Sequence, residues 1–340
     1  MSMIRFPFEA TPPEGEVLEV AEGILWIRLP LPMALDHVNV FALDDGDGWT
    51  ILDTGLNTGR GRAIWEKLLS GPLSGKPVRR LIVTHHHPDH VGLAGWFQAR
   101  GVELCMTRTA WLYARMLTLD EQPKTTPQGM AYYTRAGVPP DLLAKRAEER
   151  PFNFCDVVYP MPVGLTSLTE GQSLRMGGRD WTIRLGSGHA PDHATFWSND
   201  LILGGDQLLP GISANIGVYP TEPEADPLKD WLESCARFQP LARDNQFVLP
   251  GHKLPFYGLP LRLSQMIENH LGALDRLRDH LTTPRTAHGC FAPLFKREIG
   301  PAEYGLALVE TVAHLNHLLR RGDVSRHLDG QGAWQWQSNP

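Results

Sequence analysis

Long hydrophobic runs are missing from this chain of 340 residues. No stretch of about 18 apolar residues occurs, which excludes a membrane-spanning helix. The opening MSMIRFPFEATPPEGEV lacks a basic start, an apolar core and a small-residue cleavage site, so the expected location is cytoplasmic. Cysteine is scarce: Cys105, Cys155, Cys235 and Cys290 stand far apart with no CxxC pair. That excludes a structural zinc knuckle and a dense disulfide framework, and free buried thiols are expected. Basic charge is also in short supply, 32 Lys and Arg against 38 Asp and Glu, net −6. The balance weighs against a protein whose main task is neutralising phosphates. Repeats, low-complexity tracts and a GxSxG nucleophile frame are all lacking, so solenoids and serine hydrolases are poor readings.

What remains is an ordinary globular composition with 42% hydrophobic residues, long enough for two domains. The excess is in histidine, with 14 copies. Histidine is the commonest metal ligand, so the placement of these residues decides the reading.

Strand-like stretches run over 20–29, 38–43, 49–53, 78–84, 102–105, 181–185, 194–197, 201–203 and 246–249. Helical patterns fall at 61–69, 91–98, 110–119, 140–149, 227–238, 261–281 and 301–321. Residues 107–160, rich in proline and aromatics, read as an insert covering an α/β body. The predicted organisation is a catalytic domain over 1–258 and a mostly helical C-terminal domain over 259–340.

Chemistry gathers where apolar strands end. Leu81-Ile82-Val83 runs straight into Thr84-His85-His86-His87-Pro88-Asp89-His90. In an extended or looping segment, His85 and His87 project to the same side and reach one ion. Asp89 and His90 follow at once and can turn toward a second. Mixed nitrogen and carboxylate donors suit zinc, with iron or manganese as alternatives. Three further points share the placement: Gly188-His189, Gly205-Asp206 and Gly251-His252 each follow a short apolar strand. Alone, any of them reads as a core histidine or a turn aspartate.

In this order, and with Leu52-Asp53-Thr54-Gly55 closing an early strand, they resemble the metallo-β-lactamase superfamily over roughly residues 15–258. The resemblance implies an αββα sandwich with the site at one edge of two facing sheets. It implies that His85, His87 and His189 hold one divalent ion and that Asp89, His90 and His252 hold another. Asp206 would bridge the two. Asp89 and Asp53 are the candidate catalytic carboxylates, Asp53 having no metal to bind and an imidazole or neighbouring backbone to orient. Two ions about 3.5–4 Å apart share a hydroxide at neutral pH, so hydrolysis is the expected chemistry.

The arrangement looks like the glyoxalase-II-type and lactonase-like hydrolases, which implies a thioester, carboxylic ester or lactone and a small-molecule acyl partner. Trp111, Tyr113, Met116, Met130, Tyr132, Tyr133, Phe152 and Phe154 offer the insert apolar surface to cover an acyl group. The tail, from Thr311-Val312-Ala313-His314 to the final Trp334-Gln335-Trp336, resembles the winged-helix-like end of the beta-lactamase-like protein 2 group. That group includes a single-stranded RNA endonuclease, so a metal-dependent phosphodiesterase or nuclease is the alternative. Arg320, Arg321 and Arg326 permit it, while the acidic total opposes nucleic acid as a partner. A homo-oligomer is compatible with the sequence, and no membrane partner is expected.

The other histidines have quieter expectations. His86 should point away from its neighbours, His193 should stand behind the ligands, and His37 sits where it caps a strand or meets substrate. His270, His280, His288, His314, His317 and His327 fall in the tail, where surface or packing roles outweigh metal binding.

Overall fold

The computed structural model describes residues 3–340. Contacts gather them into two units, each discontinuous in sequence. The first takes in residues up to 121, 153–214 and 241–262, and the second 122–152, 215–240 and 263–340.

In the first unit, β1 (Val17–Ala21), β2 (Ile24–Pro30), β3 (His37–Asp44), β4 (Trp49–Leu52), β5 (Val78–Ile82), β6 (Glu103–Thr107) and β7 (Thr166–Leu168) form one sheet in sequence order. Pairing is antiparallel as far as β4 and parallel from β4 to β7. A second sheet joins β8 (Ser173–Met176), β9 (Arg179–Gly186), β10 (His193–Trp197), β11 (Leu201–Gly205) and β12 (Phe247–Pro250). Its last pair, β11 with β12, is parallel.

Strand periodicity explains why the sheets stack. Phe41 and Leu43 of β3 lie in one core with Trp181, Phe196, Leu203 and Leu249 of the second sheet. Their alternates Val38, Val40 and Ala42 lie in another core with Trp65, Leu68 and Phe97. Trp65 and Leu68 come from α1 (Gly59–Ser70) and Phe97 from α3 (Ala94–Gln98), which follows the short α2 (Pro88–Val91). Helix, sheet and sheet are therefore layered, three of the four layers of the expected αββα sandwich. α1 starts where Thr58 Oγ1 accepts from Gly61 N at 2.9 Å, satisfying an N–H that a helix start leaves bare. Trp65 then anchors the helix, giving its indole N–H to Thr54 O at 2.8 Å and packing edge-on to Phe97.

Local readings differ in places. The stretch expected as one strand over 20–29 is two, because the chain turns at Gly23 with φ of 70°. The helix expected over 91–98 is the pair α2 and α3, interrupted at Leu93. β7 and β8 are short and were not expected.

Residues 107–160 are shared between the units. α4 (Arg108–Leu119) and residues from 153 onward cluster with the first, and 122–152 with the second. The second unit holds α5 (Pro127–Arg135), α6 (Pro140–Glu148) and α7 (Pro227–Phe238). It also holds all but the first turn of α8 (Leu259–His280), then α9 (Phe291–Phe295) and α10 (Tyr304–Arg321). A hairpin of β13 (Val324–Leu328) and β14 (Trp334–Ser338) ends the chain. Helices followed by a hairpin are the order expected of a winged-helix-like tail. Tyr132 of α5 gives its hydroxyl hydrogen to Val218 O at 2.6 Å, tying residues 122–152 into this unit. All four cysteines are free thiols, three of them buried. Burial pushes Cys105 and Cys290 up to about 12, so both are inert at neutral pH.

Candidate metal centre

Five chain segments deliver the site, four of them where parallel strands stop. Asp53 follows β4, His85 to His90 follow β5, Asp206 follows β11, and His252 follows β12. His189 comes from the turn between β9 and β10. Left-handed backbone at Asp53, Asp192 and Lys253 bends the loops around the cluster. Gly251 lets two elements close in: a β-carbon there would collide with Asp206 Oδ1 and lie 2.9 Å from His90 Cε1.

All seven residues expected to bind metal meet. His85 Nε2 lies 3.0 Å from His87 Nδ1, which lies 2.9 Å from His189 Nε2. On the other side, His252 Nε2 lies 3.3 Å and His90 Nε2 3.6 Å from Asp89 Oδ2. Asp206 stands between, with Oδ1 at 3.3 Å from His90 Nε2 and Oδ2 at 3.5 and 3.3 Å from His189 and His252 Nε2. His85–His87–His189, His85–His90–Asp206 and Asp89–His90–His252 are each compact enough to hold one ion.

The surroundings determine which ring nitrogen of each imidazole carries a lone pair. Thr84 Oγ1 donates to Asp53 Oδ2 at 2.9 Å, and its one hydrogen is then spent. At 3.0 Å it must therefore accept from His85 Nδ1–H, which leaves the lone pair of Nε2 facing the cluster. His90 Nδ1–H donates to Asp53 Oδ2 at 2.8 Å, and His252 Nδ1–H donates to His37 O at 2.7 Å, with the same result. Asp53 also accepts from Thr84 N at 2.8 Å, so one buried carboxylate orients two members of the set.

These residues fit a divalent cation. Two imidazoles can share a proton, but three nitrogens converging on one point cannot all be satisfied by hydrogen bonds. His90 Nε2 and Asp206 Oδ1 are buried and have no hydrogen-bond partner. The field agrees. Burial would lower His252, yet Asp206 and Asp89 raise it to about 10, and the same carboxylates hold His90 well above its ordinary value. Burial and neighbouring imidazoles hold His85 and His87 well below theirs, neutral and able to donate lone pairs.

His86 is in none of the three ion-sized groups; its ring lies 4.6 Å from that of His87 and 5.3 Å from that of Tyr113, and it stacks on Phe154 at 6.4 Å. His193 stacks on His85 at 4.5 Å, and its Nε2 accepts from Asp206 N at 3.1 Å. His37 contributes its carbonyl to His252, while its ring lies 2.6 Å from Asp36. Sequence reasoning passed over Thr84 and Asn39. Asn39 donates to Pro250 O and Lys253 O and accepts from Trp26 Nε1, which locks the His252 loop against β3. A threonine directly before a histidine cluster was the one available signal.

The fold and this cluster define a class of metal-binding sandwich proteins, and comparison places the chain within it. Residues 33–252 match the model of the metallo-β-lactamase superfamily, and 274–339 match the C-terminal domain described as metallo-beta-lactamase-like. The chain belongs to the metallo-β-lactamase superfamily. It is 27% identical over 318 residues to the protein named "Probable metallo-hydrolase YqjP" of Bacillus subtilis (strain 168), covering 91% of this chain and 96% of that one. A beta-lactamase domain protein from Burkholderia ambifaria is 34% identical, with TM-score 0.90 over 99% of this chain and 98% of its own. A metallo-beta-lactamase family protein from Thermus thermophilus is 26% identical, with TM-score 0.79 over 94% of this chain and 100% of its own. Members of the superfamily bind divalent metals at such His and Asp clusters and are hydrolytic enzymes. No helix among the described residues is long and apolar enough to cross a membrane.

Proposed function

We propose that this metallo-hydrolase cleaves a thioester, carboxylic ester or lactone with an apolar acyl part, using two divalent ions. His85, His87 and His189 would hold one ion and Asp89, His90 and His252 the other, with Asp206 shared. The nitrogen and carboxylate donor set favours zinc. Such ions lower the pKa of a water toward neutrality and polarise a carbonyl oxygen. The protein supplies orientation and proton handling. Asp53 and Thr84 keep His85 and His90 in the right tautomer, and the His37 carbonyl does so for His252. Asp89 is the more exposed cluster carboxylate, 19% against 8% for Asp206. Its Oδ2 faces His90 and His252, which leaves Oδ1 to take a proton from the attacking water and pass it to the leaving group.

One observation carries the acyl reading. α4 shows Leu112, Met116 and Leu119 to solvent at helical spacing, while Ala110, Ala114 and Thr118 face inward. Tyr113, beside Met116 on that helix, meets His86 between two cluster histidines. An uncovered apolar strip on the helix that meets His86 suits an acyl chain or ring. The nuclease alternative finds two of its three cations in internal ion pairs and the third on a backbone carbonyl. Arg320 donates to Glu224 O, Arg321 pairs with Asp323, and Arg326 pairs with Glu224.

A panel of acyl thioesters, lactones, a phosphodiester and single-stranded RNA, with metal analysis of the same preparation, tests this. The expected result is close to two metals per chain and turnover of a thioester or lactone. Met116→Asp should raise KM severalfold for long acyl groups with kcat little changed. RNA cleavage without ester hydrolysis would overturn the reading.

A further inference from the structure

The second unit contains a cavity of about 320 Å³, within the range of small-ligand sites. None of its lining residues belongs to the metal centre. Its walls are apolar and aromatic: Ala136, Val312, Tyr132 and the rings of Trp334 and Trp336. Tyr132 has already given its hydroxyl hydrogen to Val218 and presents only its ring.

Charge at the cavity is unequal. Arg326 sits over both tryptophans, 4.3 Å from the Trp334 ring and 5.1 Å from that of Trp336, and is neutralised by Glu224 at 2.7 Å. Arg135, exposed on the last turn of α5, makes no ion pair among the described residues. Two cations against one carboxylate leave the lining with a positive surplus located at Arg135. Two buried polar atoms on lining residues also lack partners, Trp336 Nε1 and Asn316 Oδ1.

We propose that this cavity is a second binding site, for a small organic acid with a flat apolar body and a single carboxylate. The body lies among Tyr132, Val312 and the tryptophans, and the carboxylate meets the Arg135 guanidinium. A polymer would not fit the volume, and a cation or a neutral ligand would leave Arg135 unmatched.

The probe is 2-naphthoate, with 2-naphthamide as its uncharged counterpart, titrated against the whole chain by calorimetry and tryptophan fluorescence. Wild type should bind one naphthoate per chain saturably and the amide at least tenfold more weakly. Arg135→Gln should weaken naphthoate about ten- to hundredfold and leave the amide within twofold. Ala131→Trp changes an exposed residue at the cavity wall and should weaken both ligands at least tenfold. Binding should survive removal of metal by a chelator, which separates this site from the hydrolytic one. The proposal is overturned if wild type shows no saturation, if Arg135→Gln binds naphthoate as wild type does, or if stripping the metal abolishes binding.

Discussion

The first unit buries histidines around Asp206, and the second buries His270, His314 and His317. The residue type and the burial are shared, but the geometry is opposite. Around Asp206, outer nitrogens donate to Asp53, Thr84 and the His37 carbonyl, so inner lone pairs converge on common points. In the second unit the imidazoles are arranged in series. His314 Nδ1–H donates to Glu310 O at 2.8 Å, which obliges His314 Nε2 to accept from His270 Nδ1–H at 3.1 Å. His317 turns aside to Asp226 at 3.0 Å. Convergent lone pairs call for a cation, whereas a directional chain places one proton at each link. The number of buried histidines is thus uninformative, and the identity of the acceptor behind each ring decides its role.

His87→Ala should break the first cluster most severely. Removing a proposed ligand from a three-nitrogen set should cut kcat about a thousandfold or more while circular dichroism stays unchanged. His314→Leu should leave metal content and kcat as in wild type. Equal losses in the two variants would erase the distinction between the clusters. Gly251→Ala comes next, because its β-carbon would displace Asp206 and crowd His90. A shift near 1 Å at reacting groups costs about a hundredfold, read as kcat/KM under saturating metal. Wild-type activity in that variant would show that the Asp206 position is not critical.

Asp53→Asn is subtler. An amide N–H facing His90 Nδ1 would draw the lone pair to that nitrogen and put the proton on Nε2, on the ligand side. Metal affinity measured by chelator competition should fall about 10–100-fold, as for other residues that orient ligands. An unchanged affinity would mean that Asp53 is only a turn aspartate.

The candidate ligands could be picked out because they lie just beyond strand ends, and because HxHxDH spacing leaves few other uses for four of them. The orienting partners were harder to read. Thr84 acts with the Asp53 carboxylate and Asn39 through backbone carbonyls of the His252 loop, both distant in sequence, and the His37 contribution is a carbonyl that any residue would offer. The sheets were mostly visible as apolar runs, but a turn of two residues at Gly23 was too short to separate β1 from β2. α5 went unread because Gly129 and the adjacent Tyr132-Tyr133 weaken its helical pattern. It forms under Pro127 at its first position and the Thr126 cap, with Tyr132 bonded to Val218. His314 and His317 could be placed on one helix, yet only the packed partners His270 and Asp226 show why both are buried.

The smallest effect expected concerns acid stability of the second unit. Burial holds His314 down to about 4, so the fold keeps it neutral, and stability is lost as pH falls from its ordinary 6.5 through 4. Burial raises Glu310 to about 7, against the opposing hydrogen bond from Asn215, so the fold keeps this carboxyl protonated. Ionising it costs stability as pH rises from 4.5 through 7, which is the opposite slope. The two dependences overlap between the ordinary values of the groups and flatten the wild-type profile. Glu310→Gln removes only the second. At pH 7 it should stabilise the chain by at most about 3 kcal/mol, seen as a rise of a few degrees in Tm. The gain should shrink toward zero by pH 4.5, leaving a steeper acid loss governed by His314. Because metal-site titration is common to variant and wild type, it cancels in the difference. Parallel Tm curves from pH 7 to pH 4.5 would show that the Glu310 carboxyl is not kept neutral by the fold.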